Sequence, residues 1–182
     1  SAIGDVVHTL PAAHLLKKNL PGCHITWVVE QAAADLLCGY EGIDELLVSH
    51  RKEWLGLVRT GSVLSACAQA LAFFRRLRNT EYDLVLDFQG LFKSAVLAGL
   101  ARGKRKIGFA NARELAALFY TERAPASDFN DHAIKRHMGL LRNLGIADAQ
   151  PVFSSVWGEA EQARTARLLS SFDAASQGPL IS

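Results

Sequence analysis

Cysteine is scarce in this 182-residue chain, and no stretch free of charged residues reaches the ~20 positions that a membrane-spanning helix requires. The three cysteines, Cys23, Cys38 and Cys67, are odd in number, and none belongs to a C-x-x-C pair. This pattern argues against a disulfide scaffold and against a zinc site. We therefore expect three reduced cysteines that act as small apolar side chains.

A strong charge of either sign is also missing, since 20 basic residues against 18 acidic ones leave a net charge of +2. This balance argues against a general nucleic-acid or polyanion binder but leaves local basic clusters possible. Hydrophobic residues make up 49% of the chain and charged residues 21%, which excludes a disordered chain. A chain of this length can bury a sizeable core as one domain.

Several familiar motifs are absent. No G-x-G-x-x-G follows a predicted strand and no G-x-S-x-G occurs, which argues against a nicotinamide-dependent oxidoreductase and against a serine hydrolase. The segment GLARGK at 99–104 is one residue too short between its glycines for a phosphate loop, and we interpret it as a helix end with Gly103 beyond the last turn. His132 and His137 are five residues apart and face different sides of a helix, so no metal site is predicted.

Strand patterns alternate with helix patterns and predict a parallel, doubly wound α/β sheet. The expected strands are 24–30, 45–49, 83–88 and 106–109. The expected helices are 6–18, interrupted or kinked at Pro11, then 31–38, 62–78, 91–102, 112–120, 131–144 and 158–172, with a polar loop at 121–130. The side chains expected to face inward from helix 62–78 are Leu64, Leu71, Phe74 and Leu77.

Parallel sheets bind ligands at the carboxyl ends of their strands, and cations follow several of the predicted ends. These cations are Arg51, Lys52, Arg59, Lys93 and Arg113, with Gln89 and Gly90 at the same edge. Each cation alone is better interpreted as a solvated surface charge. Their recurrence at one edge favours an anionic ligand.

Gly4 and Asp5 stand where a helix begins and have two interpretations. An acid in the first turn complements the helix dipole, which is worth roughly 0.3–1 kcal/mol. Alternatively, the carboxylate of Asp5 lies at the ligand edge and accepts a proton from a hydroxyl group. Spacing alone favours the first interpretation, and the absent side chain of Gly4 adds slight support to the second.

Three segments in order, GDVVHTLPA from Gly4, WVVE at 27–30 and DFQGLFKSA at 87–95, resemble the lipopolysaccharide heptosyltransferases of glycosyltransferase family 9. RELAALFY at 113–120 and HAIKRH at 132–137 fall where that family has similar segments. The resemblance implies the GT-B architecture of two Rossmann-like domains. It assigns 1–172 to the N-terminal, acceptor-binding domain without its first strand, and 173–182 to a linker and the first strand of the absent donor-binding domain. We therefore expect a piece of a longer enzyme, inactive by itself.

The resemblance also implies the chemistry. A hydroxyl group on the Kdo sugar of lipid A attacks ADP-heptose with inversion, without a metal or other cofactor, and Asp5 matches the general base. The residues expected to hold the acceptor are His8, Arg51, Lys52, Arg59, Gln89, Gly90, Lys93, Arg113 and Arg136. ADP-heptose would bind through the absent domain. The lipid anchor of the acceptor implies a cytoplasmic enzyme in peripheral contact with the inner membrane, through Arg75, Arg76 and Arg78 or through the cluster at 102–106.

Two alternatives stay open. One is heptosyltransferase II or another GT-B transferase with an anionic acceptor, which a panel of truncated lipopolysaccharides would separate. The other is a non-catalytic α/β binding module, in which Asp5 would point away from the cleft.

Overall fold

The computed structural model describes residues 3–113, 115–125, 132–146, 151–153 and 167. Its helices are α1 (Ile3–Asn19), α2 (Arg51–Arg59), α3 (Val63–Asn79), α4 (Phe92–Leu100) and α5 (Ala133–Arg142). Its strands are β1 (Thr26–Glu30), β2 (Glu45–Ser49), β3 (Glu81–Leu86), β4 (Arg102–Phe109) and β5 (Glu122–Ala124). Single 3-10 turns cover Gln31–Ala33, Asp35–Leu37 and Ala116–Phe119. In the described part of the chain, no helix is both long enough and apolar enough to cross a membrane.

The described strands form two parallel ladders, β1–β2 and β3–β4–β5. In the first ladder Glu30 pairs with Ser49, so β1 and β2 end side by side. In the second, Leu86 pairs with Ile107 and Phe109 with Ala124, which brings the carboxyl ends of three strands to one edge. Parallel pairing requires crossover helices between strands, and this is the α/β class that the alternating pattern predicts.

Helices cover both faces of each ladder, and the strand residues show which helix covers which face. Leu46 of β2 packs in the cluster that contains Val6 and Leu10 of α1, whereas the next residue, Leu47, packs against Phe73 of α3. Because successive strand side chains point to opposite faces, α1 and α3 lie on opposite sides of the sheet.

The second ladder is sandwiched in the same way. Leu86 of β3 packs with Leu141 of α5, and its neighbour Val85 packs against Leu77 of α3 and Ala95 of α4. α1 and α5 therefore cover one face, and α3 and α4 cover the other. The doubly wound arrangement is confirmed by the alternation of apolar contacts along β2 and β3.

The structure also corrects several predicted elements. The segment after β2 is a helix, α2, rather than a loop, and 121–130 contains β5. The predicted helix 112–120 is only the 3-10 turn Ala116–Phe119, because Leu115 before it adopts the left-handed conformation with φ 64°. Gly103 lies within β4, not at a helix end, and α1 is not divided at Pro11. The predicted helix 31–38 is reduced to two 3-10 turns, and that at 158–172 falls almost wholly outside the described residues.

The inward face of α3 is only partly as predicted. Leu77 is buried and Phe74 is partly buried, but Leu64 and Leu71 are exposed, and Phe73 occupies the core instead. The physical reason is that α3 carries apolar side chains on two opposite stripes, and periodicity alone does not say which stripe meets the sheet.

Candidate functional site

The candidate site lies at the edge where the parallel strands end. Glu30 closes β1, Ser49 closes β2, and the turn 87–91 follows β3. α2 and α4 begin at this edge, since they follow β2 and β3 within a few residues. Their first turns therefore direct unpaired backbone N–H groups towards the space where an anion would bind.

The beginning of α1 reaches the same edge through His137 of α5. The imidazole Nδ1 of His137 lies 3.1 Å from the carbonyl oxygen of His8 and 3.4 Å from Thr9 Oγ1. Its ring packs edge-on against Phe88, two residues beyond β3, with ring centroids 5.1 Å apart. Burial lowers the pKa of His137 more than the hydrogen bond to the His8 carbonyl raises it, so the ring is held neutral.

Asp5 lies in the first turn of α1 and is partly buried. Its carbonyl oxygen accepts a hydrogen bond of 2.7 Å from Thr9 Oγ1, which is the residue in contact with His137. One turn further, the ring of His8 meets the ring of His132 at a centroid distance of 5.0 Å.

Glu30 brings two of the predicted cations together. Lys93 Nζ donates a hydrogen bond of 3.1 Å to Glu30 Oε1, and a guanidinium nitrogen of Arg51 lies 3.6 Å from the same oxygen. The Glu30 side chain is only 18% exposed, whereas those of Lys93 and Arg51 are 35% and 45% exposed. The acid is thus the inner member of the cluster, and the two cations face outward.

The electrostatics of this cluster follow from its geometry. Partial burial acts to raise the pKa of the Glu30 carboxyl, but hydrogen bonds and nearby positive charge, those of Lys93 among them, lower that pKa to about 2. Burial acts to lower the pKa of Lys93, and its hydrogen bonds together with the charge of Glu30 raise that pKa above its usual value. Both groups are therefore charged at neutral pH, and the local charge of Glu30, Lys93 and Arg51 together is positive.

In the described part of the chain, Asp87 organises the turn after β3 through uncharged hydrogen-bond donors. Its Oδ1 accepts hydrogen bonds from the backbone N–H groups of Gln89 and Gly90, at 2.9 and 3.2 Å. Its Oδ2 accepts from Ser94 Oγ at 2.8 Å and from the Tyr120 hydroxyl at 2.7 Å. Burial, together with the charge and hydrogen bond of Asp87, raises the pKa of Tyr120 far above its usual value. The carboxylate, only 5% exposed, thereby fixes the turn that carries Gln89.

Gly90 lets the turn after β3 pass close to the Phe109 ring. Its φ of 64° is in the left-handed region, and a Cβ there would meet the Phe109 ring at 3.4 Å. The Gly90 carbonyl accepts a 2.9 Å hydrogen bond from the backbone of Arg113, and the guanidinium of Arg136 lies 5.5 Å from the centroid of the Phe109 ring. The turn 87–91, Arg113 and Arg136 therefore meet around Phe109.

The structure brings together some predicted site residues and separates others. Arg51 and Lys93 share Glu30, Arg136 lies over the Phe109 ring, and Gln89 and Gly90 belong to the turn after β3, where the Gly90 carbonyl contacts the backbone of Arg113. Lys52 is exposed on α2, and Arg59 ends that helix eight residues after Arg51, or about 12 Å along its axis, away from Glu30. In the described part of the chain, no group of His, Cys, Asp or Glu side chains is placed to hold a metal ion.

Sequence reasoning placed Glu30 at the end of a predicted strand but gave it no role, and it missed three more residues that hold this edge in place, namely Asp87, Tyr120 and His137. Glu30 and Asp87 follow apolar strand residues directly, and an acid at the carboxyl end of a buried strand is the signal that would have marked them. Tyr120 lies 33 residues from Asp87, and His137 lies 129 residues from His8, so local sequence carries no sign of either partner.

Comparisons with known proteins show the family of this chain. The family model described as "Glycosyltransferase family 9 (heptosyltransferase)" matches residues 70–176. Lipopolysaccharide heptosyltransferase 1 of Salmonella typhimurium is 34% identical over 80% of this chain and 46% of its own length. The corresponding protein of Pseudomonas aeruginosa is 33% identical over 75% of this chain and 38% of its own length. This chain therefore spans about half the length, or less, of these curated relatives.

Solved structures give the same result. E. coli heptosyltransferase WaaC with ADP-2-deoxy-2-fluoro heptose superposes with a TM-score of 0.73 and 31% identity, over 86% of this chain and 49% of that one. A glycosyl transferase family 9 structure from Veillonella parvula, at 21% identity, has a TM-score of 0.69 over 95% of this chain and 47% of its own, and shows the fold alone.

Proposed function

Because the chain belongs to glycosyltransferase family 9, the heptosyltransferase family, we propose that it forms the acceptor-binding half of a lipopolysaccharide heptosyltransferase 1. The proposed reaction moves heptose from ADP-heptose to the Kdo of lipid A. Two observations support the proposal: Asp5 lies in the first turn of α1, which contacts His137 beside Phe88 beyond β3, and Arg51 and Lys93 share Glu30 at the end of β1. A proton acceptor and anion-binding cations at one edge suit an acceptor with a hydroxyl nucleophile and negative groups.

The cations are proposed to bind the carboxylates and phosphates of the acceptor. Arg51 and Lys93 are held by one carboxylate and face outward, so an incoming anion can contact both without a large rearrangement. Arginine binds carboxylate and phosphate with two parallel hydrogen bonds, which suits Arg51, Arg113 and Arg136 to this role. Lys52 and Arg59 are proposed as outlying contacts along α2.

The neutral groups have a different part. The side chain of Gln89, whose backbone is held by Asp87, is proposed to bind sugar hydroxyls. Gly90 gives the backbone clearance beside Phe109, and the partly buried His8 extends the site along α1.

In the proposed chemical step, Asp5 accepts the proton of a Kdo hydroxyl as its oxygen attacks the anomeric carbon of heptose. A new carbon–oxygen bond forms while the bond to the β-phosphate oxygen breaks, ADP leaves with the bonding electrons, and the configuration at that carbon inverts. A general base contributes about 10²–10⁴-fold to such a step. No metal ion is required in this proposal, and the donor is expected to bind outside this chain.

The acceptor is anchored by its acyl chains, so the proposed place of action is the cytoplasmic face of the inner membrane. This chain alone is expected to bind the acceptor fragment without turning it over. ADP-heptose binding is expected only when the donor-binding half is present.

The decisive test is Asp5→Asn in the full-length protein, with Asp35→Asn as a control on an exposed acid of the neighbouring 3-10 turn. Asp5→Asn should lower kcat at least about 100-fold and leave the Kd for ADP-heptose unchanged. Asp35→Asn should leave both constants unchanged. Near-normal turnover of the Asp5 variant would remove that residue as the base.

Acceptor binding is tested separately with Arg51→Gln and Arg113→Gln, and with Arg102→Gln on β4 as the control. Each of the first two changes should raise the KM for a Kdo-bearing acceptor more than the KM for ADP-heptose. Equal effects on both constants would contradict an acceptor site at this edge. A panel of truncated lipopolysaccharides tells whether Kdo or a later sugar is the acceptor.

A further inference from the structure

α2 and α3 form a helical pair with an outer face that no described element covers. On α3, the core stripe is Ala66, Phe73 and Leu77, and the opposite stripe carries Leu64, Leu71 and Arg75. Leu64 is 89% exposed and Leu71 is 50% exposed. With about 100° per residue, Leu64, Leu71 and Arg75 fall within about 40° of one another around the helix, so they form one continuous stripe.

α2 continues this pattern. Leu55 and Val58 are 48% and 47% exposed, and Trp54 of the same helix turns inward against Phe73. The helix contains no fully buried side chain. Lys52 and Arg59 lie about 60° and 40° to one side of Leu55, and the acid Glu53 lies about 160° away from it. The outer stripe of α2 is therefore apolar at its centre and basic at its border.

Charge separates this surface from the other basic part of the molecule. On β4, three of the four cations have an acidic partner: Arg102 with Glu81 at 3.8 Å, Lys104 with Asp83 at 3.3 Å and Arg105 with Glu122 at 2.6 Å. The fourth, Lys106, donates a hydrogen bond to the Gly99 carbonyl. Within the described residues, no acidic side chain pairs with Lys52, Arg59 or Arg75. Most of the positive charge on β4 is thus compensated, whereas the outer stripes of α2 and α3 carry uncompensated positive charge next to exposed leucines.

We propose that the outer face of α2 and α3, defined by Lys52, Leu55, Val58, Arg59, Leu64, Leu71 and Arg75, docks on a bilayer that contains anionic lipids. Apolar side chains in the headgroup region and cations against negative headgroups are the two interactions that hold an amphipathic helix at a membrane surface. A protein partner would need an acidic side chain opposite each separate cation, whereas a fluid anionic bilayer offers negative headgroups at every position.

This surface deepens the proposed function and rests on it for its purpose. Arg51, the first residue of α2, contacts Glu30 at the candidate site, so α2 links that site directly to the docking face. An acceptor whose acyl chains stay in the bilayer would then present its sugars beside Arg51 and Lys93. The geometry predicts docking through this face and not through the paired cations of β4.

The test is flotation of the full-length protein with vesicles of phosphatidylcholine alone or with about one third phosphatidylglycerol. The protein should bind the anionic vesicles and lose at least about tenfold in affinity in the double variant L64S/L71S. Arg75→Gln should lose about fivefold, and this loss should shrink in high salt. The matched control is L115S/L118S, whose leucines are 72% and 71% exposed but lie around a short 3-10 turn.

Failure to bind anionic vesicles, or equal losses in L64S/L71S and L115S/L118S, would overturn the docking surface. So would a dimer in light scattering that L64S/L71S converts to a monomer, because the face would then bind a second copy. Turnover of a deacylated, Kdo-bearing acceptor separates this proposal from the enzyme function, since L64S/L71S should leave its kcat/KM unchanged. Vesicle binding without any turnover by the unmodified protein would refute the enzyme function and leave the surface intact.

Discussion

Glu30 is the last residue of β1 and Asp87 directly follows β3, but the two acids have different kinds of partner, charged for Glu30 and uncharged for Asp87. Glu30 contacts two cations, Lys93 and Arg51. Asp87 accepts hydrogen bonds from two backbone N–H groups and two hydroxyls. One edge of the fold thus contains a charged cluster after β1 and a hydrogen-bonded network of uncharged donors after β3.

The difference separates the architecture of this edge from its binding capacity. The uncharged donors around Asp87 already have a hydrogen-bond acceptor and leave nothing for a ligand to bind. The Asp87 network therefore serves to hold the turn in one conformation. Lys93 and Arg51 have more N–H donors than Glu30 can accept from, and the remaining donors face solvent, where an anionic ligand can accept their hydrogen bonds. We therefore expect changes at Asp87 to affect mainly folding and changes at Glu30 to affect mainly binding.

The largest effect is expected for Asp87→Ala, which leaves the Tyr120 and Ser94 hydroxyls and two backbone N–H groups without their acceptor. Loss of such a buried network should lower the free energy of unfolding by about 3–4 kcal/mol, measured by urea denaturation. Asp83→Ala is the matched control, because the Asp83 side chain is 93% exposed and its pair with Lys104 is worth little. Similar midpoints for the two variants would contradict a structural role for Asp87.

A smaller loss is expected for Tyr120→Phe, which removes one donor from Asp87 and keeps the ring. The free energy of unfolding should fall by about 1.5–2 kcal/mol, since the lost hydrogen bond goes to a charged acceptor. Tyr82→Phe provides the comparison, because the buried Tyr82 hydroxyl has no hydrogen-bond partner in the described structure. Its removal should cost almost nothing, and equal losses in the two variants would show that the Asp87 bond is not the cause.

Unlike the changes at Asp87 and Tyr120, Glu30→Gln should affect acceptor binding more than the stability of the fold. Stability should change by no more than about 1 kcal/mol, because the partners of Glu30 are partly solvated. The KM for the acceptor should fall about threefold, since Gln keeps an oxygen for Lys93 and removes the competing negative charge. Glu45→Gln, which affects the exposed pair with Arg76 and a hydrogen bond from Thr26, should leave KM unchanged. A higher KM in the Glu30 variant would mean that Glu30 orients the cations rather than competing for them.

The smallest effect concerns pH. The pKa of Glu30 is lower in the folded chain than in the unfolded one, so its contribution to stability is present above the unfolded pKa of about 4.3 and is lost as the pH falls through the folded value. The stability difference between the unmodified protein and Glu30→Gln should therefore shrink below about pH 4. A difference that stays constant down to pH 2.5, followed by urea denaturation, would show that the ion pairs contribute nothing.

Local patterns predicted much of this architecture. β2 has the bounds that its sequence predicts, and β1, α3, α4 and α5 differ from their predictions by a few residues at an end. Parallel pairing followed from the alternation of strand and helix, and the carboxyl-end rule selected Arg51 and Lys93 before their contact with Glu30 was visible. These features depend on apolar periodicity and capping, which are properties of neighbouring residues.

Other features depended on contacts between distant residues. The periodicity of α3 allowed either of two apolar stripes to face the sheet, and the structure buries Phe73 and exposes Leu64. The helix α2 was missed because it has only nine residues and none of its side chains is fully buried, so it leaves a weak apolar pattern. Leu115 ends the helix pattern at 112–120 through a left-handed backbone conformation that its side chain does not favour.

The sequence by itself determined the fold class and the family, because periodicity, strand order and short motifs are written in consecutive residues. Only the tertiary structure decided which charges are compensated: Arg105 meets Glu122, Lys93 meets Glu30, and Arg75 meets no acid in the described chain. The reason is physical. The energy of a charge depends on partners within a few ångströms and on burial, and folding sets both by bringing together residues far apart in sequence.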